Sequence, residues 1–482
     1  MDYKITGYEP EKLFHFFEEI SAIPRGSGNE KGISDYLVKF AKDRGLEVIQ
    51  DDAYNVVIKK AGSRGAEDHA PVMLQGHMDM VCEKRAGVEH DFEKDGLDLI
   101  IRDGRLTANG TTLGGDNGVA VALMLMVLDD DEIEHPPVEC VFTTEEEVGL
   151  NGAKALDKSV LKARTMINMD SEDEGVATVS CAGGLRVQFT KEIQRTTVQG
   201  SLLTLKVEGL LGGHSGQDID KERQNADLLM ARMIQRLLKE TKGQLVSFNG
   251  GTKDNAIPRE CEASLIYESD EEAAKAEELA CELAETYAEE LTPAEPDFSC
   301  EISCETNRTA EAIPQDAAKE FICAMRLAPN GIQKRNIKMD GFVVVSLNLG
   351  VVRTEEDRIV MIFSPRSSVA SLQEDTKERL NTLAETFGFT VSHSSEYPGW
   401  SFKEDSPVRE ICKESYKELF GEDLKIEAIH AGLECGLFSD AIKGLDAIAI
   451  GPTIANCHTP DEYLTLDSFE RFYAVSYTHL RA

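Results

Sequence analysis

Three short apolar runs in this chain end on side chains that bind cations. Pro71-Val72-Met73-Leu74-Gln75-Gly76 leads into His77-Met78-Asp79, Val138 to Thr144 leads into Glu145-Glu146-Glu147, and Thr165 to Met169 leads into Asp170. Apolar runs of this length, alternating with amphipathic helices, read as buried strands of an α/β sheet. In open α/β sheets the carboxyl ends of the strands are the usual position of a site. On a strand, residues two apart share a face, so His77 and Asp79 leave the sheet together. That is the geometry of a ligating imidazole whose other ring nitrogen is oriented by a carboxylate. An ordinary polar strand rim has the same spacing. Three adjacent carboxylates at 145–147 repel one another unless cations neutralise them, whereas a solvated acidic loop is the commoner fate of such a run.

The glycine-rich stretch Thr111-Thr112-Leu113-Gly114-Gly115-Asp116-Asn117-Gly118 precedes Val119 to Leu128, a helix apolar on every side. Its glycines permit a tight turn that presents Asp116 where the helix starts, although an aspartate there also serves as a helix cap. Upstream, Pro10 to Glu18 reads as a helix, and Ser27-Gly28-Asn29-Glu30 reads as the cap of a second helix ending at Asp43. Strands are expected at Glu47 to Gln50 and Asn55 to Lys59.

From about Leu185 to Pro398 the pattern changes to antiparallel strands with long amphipathic helices. It divides at Thr292-Pro293-Ala294-Glu295-Pro296, read as a linker between two similar units, the first beginning at strand Val187 to Lys191 and the second at strand Asp297 to Cys304. The first architecture returns after Trp400, with the loop His430 to Gly436 and a final loop bearing His458. The expected organisation is 1–184 and 399–482 as one α/β domain, with 185–398 inserted. The stretch from 475 to 482 resembles the translation of a sequencing adapter and interrupts the expected last helix, so His479 is set aside as a ligand.

The 482 residues, 41% apolar and 29% charged, provide ample core for several domains. A formal charge of −36 opposes binding to nucleic acid, whose phosphates need a basic surface. No apolar run is long enough to span a membrane, and no signal peptide is evident. The 11 cysteines, odd in number and without a CxxC pair, suit reduced thiols and a cytoplasmic location.

Five blocks in order, His77-x-Asp79, Gly115-Asp116-Asn117-Gly118, Glu146-Glu147-Val148-Gly149, Asn168-Met169-Asp170 and His458-Thr459-Pro460-Asp461-Glu462, resemble the metal-site blocks of the M20 metallopeptidases, within them the aminoacyl-histidine dipeptidase branch. The resemblance extends over nearly the whole chain through Ile23-Pro24, Gly212-Gly213-His214-Ser215-Gly216, Asn255-Ala256-Ile257-Pro258, Ser364-Pro365-Arg366-Ser367-Ser368 and the loop from His430 to Gly436. It implies a two-domain dinuclear-zinc peptidase fold, an α/β catalytic domain with an inserted α+β lid of two similar halves, and it allows a homodimer.

It also implies roles. Asp116 would bridge two divalent metals, with His77 and Asp170 completing one and Glu147 and His458 the other. Zn²⁺ suits this nitrogen and oxygen set, and Mn²⁺ or Co²⁺ would fit. Glu146 would be the general base and Asp79 would orient His77. His214 would stabilise the oxyanion, Arg366 and Asn255 would hold the carboxylate end of a small peptide, and Glu434 would face its amine. Glu145 stands where relatives often have Asp and is given no role. The expected activity is hydrolysis of unblocked dipeptides, Xaa-His among them. A related amidohydrolase (an N-acyl-amino-acid deacylase or tripeptidase) and a non-catalytic binding protein on the same fold are the alternatives.

Overall fold

The computed structural model describes residues 3–63, 65–132, 134–337 and 341–481. The chain forms two compact units, one of residues 1–181, 400–428 and 433–482, the other of residues 182–399 and 429–432. The short segment Ile429–Gly432, expected with the first architecture, belongs to the second unit.

The first unit is built on an eight-stranded sheet, in the order Glu47–Gln50, Val56–Lys60, Val138–Thr143, Val72–His77, Thr165–Asn168, Asp446–Ala449, Val176–Cys181 and Lys425–Ile429. Its centre is parallel: Val72–His77 pairs with Val138–Thr143 on one side and Thr165–Asn168 on the other, and the latter pairs in parallel with Asp446–Ala449. Parallel strands are covered on both faces, which explains the unbroken apolar runs. The helix Gly115–Asp129 is buried from Asn117 to Leu128 and packs on Val72–His77 and on the helix Glu11–Ser21. Regular helix geometry begins only after Asn117, because Asp116 and Asn117 depart from helical dihedrals and Gly114 is left-handed at φ 64°. Asp116 therefore sits in the turn before the helix.

A four-stranded sheet, Ile454–Ala455, Tyr463–Thr465, Arg105–Ala108 and Leu99–Arg102, completes this unit. Leu464 pairs with Leu106, so the hairpin carrying His458 is laced to the segment that runs into Asp116. The last helix, Leu466–Arg481, continues through the stretch expected to interrupt it. Val475 is 6% exposed and Ser476 0%, and the apolar period is kept as far as they go. Ala482 lies outside the described residues.

The second unit has a nine-stranded antiparallel sheet, eight strands in two similar halves and a ninth, Gly331–Arg335, paired with Val343–Thr354 off the main order, and the halves are nested and not in tandem. One half comprises Thr196–Glu208, Ala226–Glu240, Gln244–Gly250, Cys261–Tyr267, Asp270–Leu291 and Ser299–Ala312, a βαββαβ unit with its strands ordered 4-1-3-2. The other comprises Gly183–Glu192, Gln315–Leu327, Val343–Thr354, Arg358–Ser367, Ala370–Thr386 and Thr390–Tyr397, with the same order. Its first strand precedes the whole of the inner half, and the halves join where Gly250 meets Val352. The strands at 183–192 and 299–312 thus exchange the places expected for them, because strand composition carries no record of which half a strand will pair with.

The 292–296 stretch is not a loose linker. Glu295 is 2% exposed and accepts hydrogen bonds from the amides of Leu211 and Gln224 at 2.7 and 2.8 Å. These bonds close the base of the loop that carries His214.

Asp227, in the first turn of Ala226–Glu240, is fully buried beside the Cys261 thiol, a weak donor. Gly250 must lack a side chain there, since a Cβ would fall 1.6 Å from Asp227 Oδ1. Burial holds this carboxyl well above the usual carboxylate range, against the smaller opposing pull of Cys261 and Arg353. Above the unfolded pKa near 4 the folded chain retains a proton that the unfolded chain releases, so stability falls as pH rises from there. Asp227→Asn should remove that slope and stabilise the protein relative to wild type by about 1 kcal/mol or more at pH 8. Urea unfolding of both proteins from pH 4 to 8 checks this, with the difference growing as pH rises.

Candidate metal centre

Four loops of the first unit converge at the carboxyl ends of its parallel strands. His77 ends Val72–His77, Glu146 and Glu147 follow Val138–Thr143, Asp170 follows Thr165–Asn168, and Asp116 lies in the turn before the buried helix. His458, left-handed at φ 64°, comes from the hairpin of the small sheet.

Among the described residues four groups of donor atoms could hold a cation: His77, Glu146 and Glu147 make one, Asp116 with Glu172 and Cys457 (two residues the sequence reading did not single out) another, and the remaining two are built from the expected ligands and share Asp116. His77, Asp116 and Asp170 make one, and Asp116, Glu147 and His458 the other, the ligand atoms of each lying within 4.8 Å of one another. His77 Nε2 is 2.9 Å from Asp116 Oδ1 and 3.4 Å from Asp170 Oδ1. His458 Nε2 is 3.3 Å from Asp116 Oδ2 and 3.0 Å from Glu147 Oε1. One oxygen of Asp116 therefore faces each group. Imidazole and carboxylate donors, two shared through one carboxylate, fit a pair of borderline or hard divalent cations.

The electrostatics point the same way. Burial alone would lower His77, but the charge of Asp170 and hydrogen bonds to Asp116, Asp170 and Asp79 hold it well above its ordinary value. Asp116 is driven well below the carboxylate range by the two imidazoles, against its burial. His458 is pushed up to about 11, first by Asp116 and then by Glu147. Burial raises Glu146 well above the usual range, helped by Asp170, Glu434 and Glu147 and opposed by His77. These carboxylates hold the imidazoles as a bound cation would be held.

Asp79 does more than orient His77. Its Oδ1 is 3.3 Å from His77 Nδ1, and its two oxygens also accept from the amides of Glu146 at 3.1 Å and Glu147 at 3.4 Å and from Ser27 Oγ at 2.8 Å. The expected cap at residues 27–30 is not one, since no side chain there caps the helix Lys31–Asp43. Glu30 instead accepts from the amides of Gly28 and Glu145 at 3.0 Å, bracing the acidic run from beneath. Glu145 is left-handed and bonds Asn151, apart from both donor groups.

Glu434 is corrected by the structure. It opens the helix Glu434–Ala441 where a loop was expected, and it is 0% exposed. Oε2 accepts from Thr143 Oγ1 at 2.7 Å and from Gln75 Nε2. Burial lifts its carboxyl to about 7. It is a buried partner of the sheet through Oε2, while its Oε1 has no hydrogen-bond partner among the described residues.

The second unit brings together another set. His214 Nδ1 accepts from the amides of Gly216 at 3.2 Å and Gln217 at 3.0 Å, which leaves Nε2 carrying the proton as a donor. Burial, then the charge of Arg366, lowers His214 below its ordinary value, so the ring is neutral. Arg366 is 7% exposed and donates to Tyr397 OH at 3.0 Å. A side chain at Gly216 would meet His430 O, His214 and Arg366 together, and that glycine lets the three approach. Ser346 Oγ and His430 Nε2 are 2.7 Å apart beside them. Asn255 is exposed, and its carbonyl accepts from the Ser215 amide at 2.9 Å.

A family model described as peptidase family M20/M25/M40 matches residues 73–481. The chain belongs to this family. It is 34% identical over 478 residues, 98% of this chain and 97% of the relative, to the cytosol non-specific dipeptidase of Escherichia coli strain K12. The crystal structure of aminoacylhistidine dipeptidase from Vibrio alginolyticus matches at a TM-score of 0.93 and 35% identity, covering 100% of this chain and 98% of that one. The aminopeptidase PepT from Bacillus cereus ATCC 10987 matches at 0.56 and 16% over 98% of each chain, a likeness of fold alone.

Asp79→Asn should weaken metal binding about 10- to 100-fold, because the amide cannot accept both from the His77 ring and from the acidic-run amides. Competition with a chromogenic chelator measures it, and unchanged affinity would refute the bracing role.

Proposed function

We propose that the protein hydrolyses unblocked dipeptides with two divalent cations, Zn²⁺ first among the candidates, and that it works in the cytosol. The observation that carries this reading is the shared carboxylate: one oxygen of Asp116 faces His77 and the other His458. His77, Asp116 and Asp170 would hold one ion, and Asp116, Glu147 and His458 the other. Such a pair, when bound, supplies positive charge that polarises the scissile carbonyl and acidifies a water.

Glu146 groups with His77 and Glu147 but not with the shared Asp116, and it has the raised affinity for a proton that a general base needs. It takes the proton of the attacking water and passes it to the leaving nitrogen. Asp79 fixes the rotation of His77 and, through the amides of residues 146 and 147, the direction of Glu146. His214 offers a neutral N–H to the developing oxyanion, its tautomer set by two backbone amides. Arg366 supplies a fork for the terminal carboxylate, with Asn255 beside that role. The amine is not assigned to Glu434, given its burial.

Support for dipeptides comes from the two full-length relatives, one named non-specific and the other aminoacylhistidine. Xaa-His substrates therefore belong within a broader range of free dipeptides. None of the 11 cysteines is in a disulfide among the described residues, which supports a reducing compartment.

Glu146→Gln should lower kcat by about 10²- to 10⁴-fold while two ions per chain remain bound. Asp116→Ala should lose both ions, as elemental analysis would show. A Glu146→Gln enzyme of near-normal rate would remove Glu146 as the base.

A substrate panel tests the class. Free dipeptides should be cleaved far faster than their N-acetylated or C-amidated forms, the amidated ones losing the charge paired by Arg366. Faster hydrolysis of N-acyl amino acids in the same steady-state assay would favour a deacylase.

A further inference from the structure

Arg25 is among the largest fully buried side chains of the chain, at 1% exposure. A guanidinium out of water is costly unless its donors are satisfied. Here its two terminal nitrogens donate to backbone carbonyls on two separate segments, while Nε has no partner among the described residues. Nη1 donates to Met78 O at 3.1 Å and Asp79 O at 3.2 Å, and Nη2 donates to Gly114 O. One planar group thus ties the strand end that bears His77 and Asp79 to the turn that bears Asp116.

Glu462 grips the same turn through its other polar groups. At 2% exposure, its Oε2 accepts from the amides of Leu113 at 2.8 Å and Gly114 at 3.1 Å, and its Oε1 from Gly115 at 2.8 Å and Asp116 at 3.4 Å. The carbonyl at 114 is therefore held by a cation and the amides of 113–116 by an anion.

The glycines of the motif record this grip. A Cβ at Gly114 would lie 2.5 Å from Arg25 Nη2, one at Gly118 2.8 Å from the same atom, and one at Gly115 3.3 Å from Glu462 Oε1. Each glycine leaves room for one of the two side chains.

We infer that Arg25 and Glu462 are positioning residues that clamp the 113–116 turn so that Asp116 can face both metal positions at once. Neither belongs to a donor group. The inference rests on the reading of Asp116 as the shared ligand. Because that ligand serves both ions, loosening its turn weakens both, whereas loss of His77 or His458 weakens one.

The test uses the full chain with Arg25→Lys, which cannot span three carbonyls, and Glu462→Asp, which is one methylene short of the amides. Zinc affinity at both sites, read by chelator competition, should fall about 10- to 100-fold. With zinc in excess, kcat should return to within about threefold of wild type and KM should not change. Parental affinity at both sites, or weakening at one site alone, would overturn the clamp. So would a lower melting temperature of the metal-free protein with the affinities unmoved, the mark of a merely structural role. Should Arg25→Lys fail to fold, Glu462→Asp decides by the same measurements. Asp116→Ala separates the two readings: if it retains both ions the shared-ligand reading fails, and if it loses both while the clamp variants keep theirs only the clamp fails.

Discussion

Mutual repulsion among buried carboxylates is the constraint to which the first unit is built. Asp79, Asp116, Glu146, Glu147 and Asp170 crowd around two imidazoles at the ends of parallel strands. Like charges at such range cannot all stay ionised without compensating positive charge. The protein supplies part of it through backbone amides aimed at Asp79, Glu30 and Glu462. The two imidazoles supply the rest only while they hold protons, a role that cations would take over on the neutral rings, and the arrangement of loops, turn and hairpin keeps those donors apart yet convergent.

Much of this was legible in the sequence. An apolar run that stops at a ligand type of side chain carries both the strand and the position of its end, so periodicity placed His77, the Glu145 to Glu147 run and Asp170 at strand ends. Their ligand roles, like those of Asp116 and His458, came from the family resemblance, since strand rims, glycine turns and loop histidines have many other uses. Arg25 was passed over although it follows the quoted Ile23-Pro24. A buried arginine has no sequence signature, because burial depends on segments 53 and 89 residues away meeting around it.

The failures share that cause. Glu434 looked like a loop residue because its glycine-rich approach hides a short helix, and its burial depends on Gln75 and Thr143, both distant in the chain. Residues 27–30 have the composition of a cap and serve as braces instead. The nesting of the two βαββαβ halves is a pairing choice among strands of similar pattern, and it is settled by long-range partners that local composition does not encode.

The nesting also sets an order of assembly. Every strand of the inner half lies between residues 196 and 312, so that half is closed within a contiguous stretch of chain. The outer half is opened by Gly183–Glu192 and finds its two partners only at 358–367 and 390–397. The first unit waits longer still, because Asp446–Ala449 is the strand that belongs between Thr165–Asn168 and Val176–Cys181. During synthesis from the amino end the chain therefore closes like nested parentheses, innermost first. The edges of Thr165–Asn168 and Val176–Cys181 stay open the longest, so those two strands are where a nascent chain is most exposed to mispairing with a neighbour.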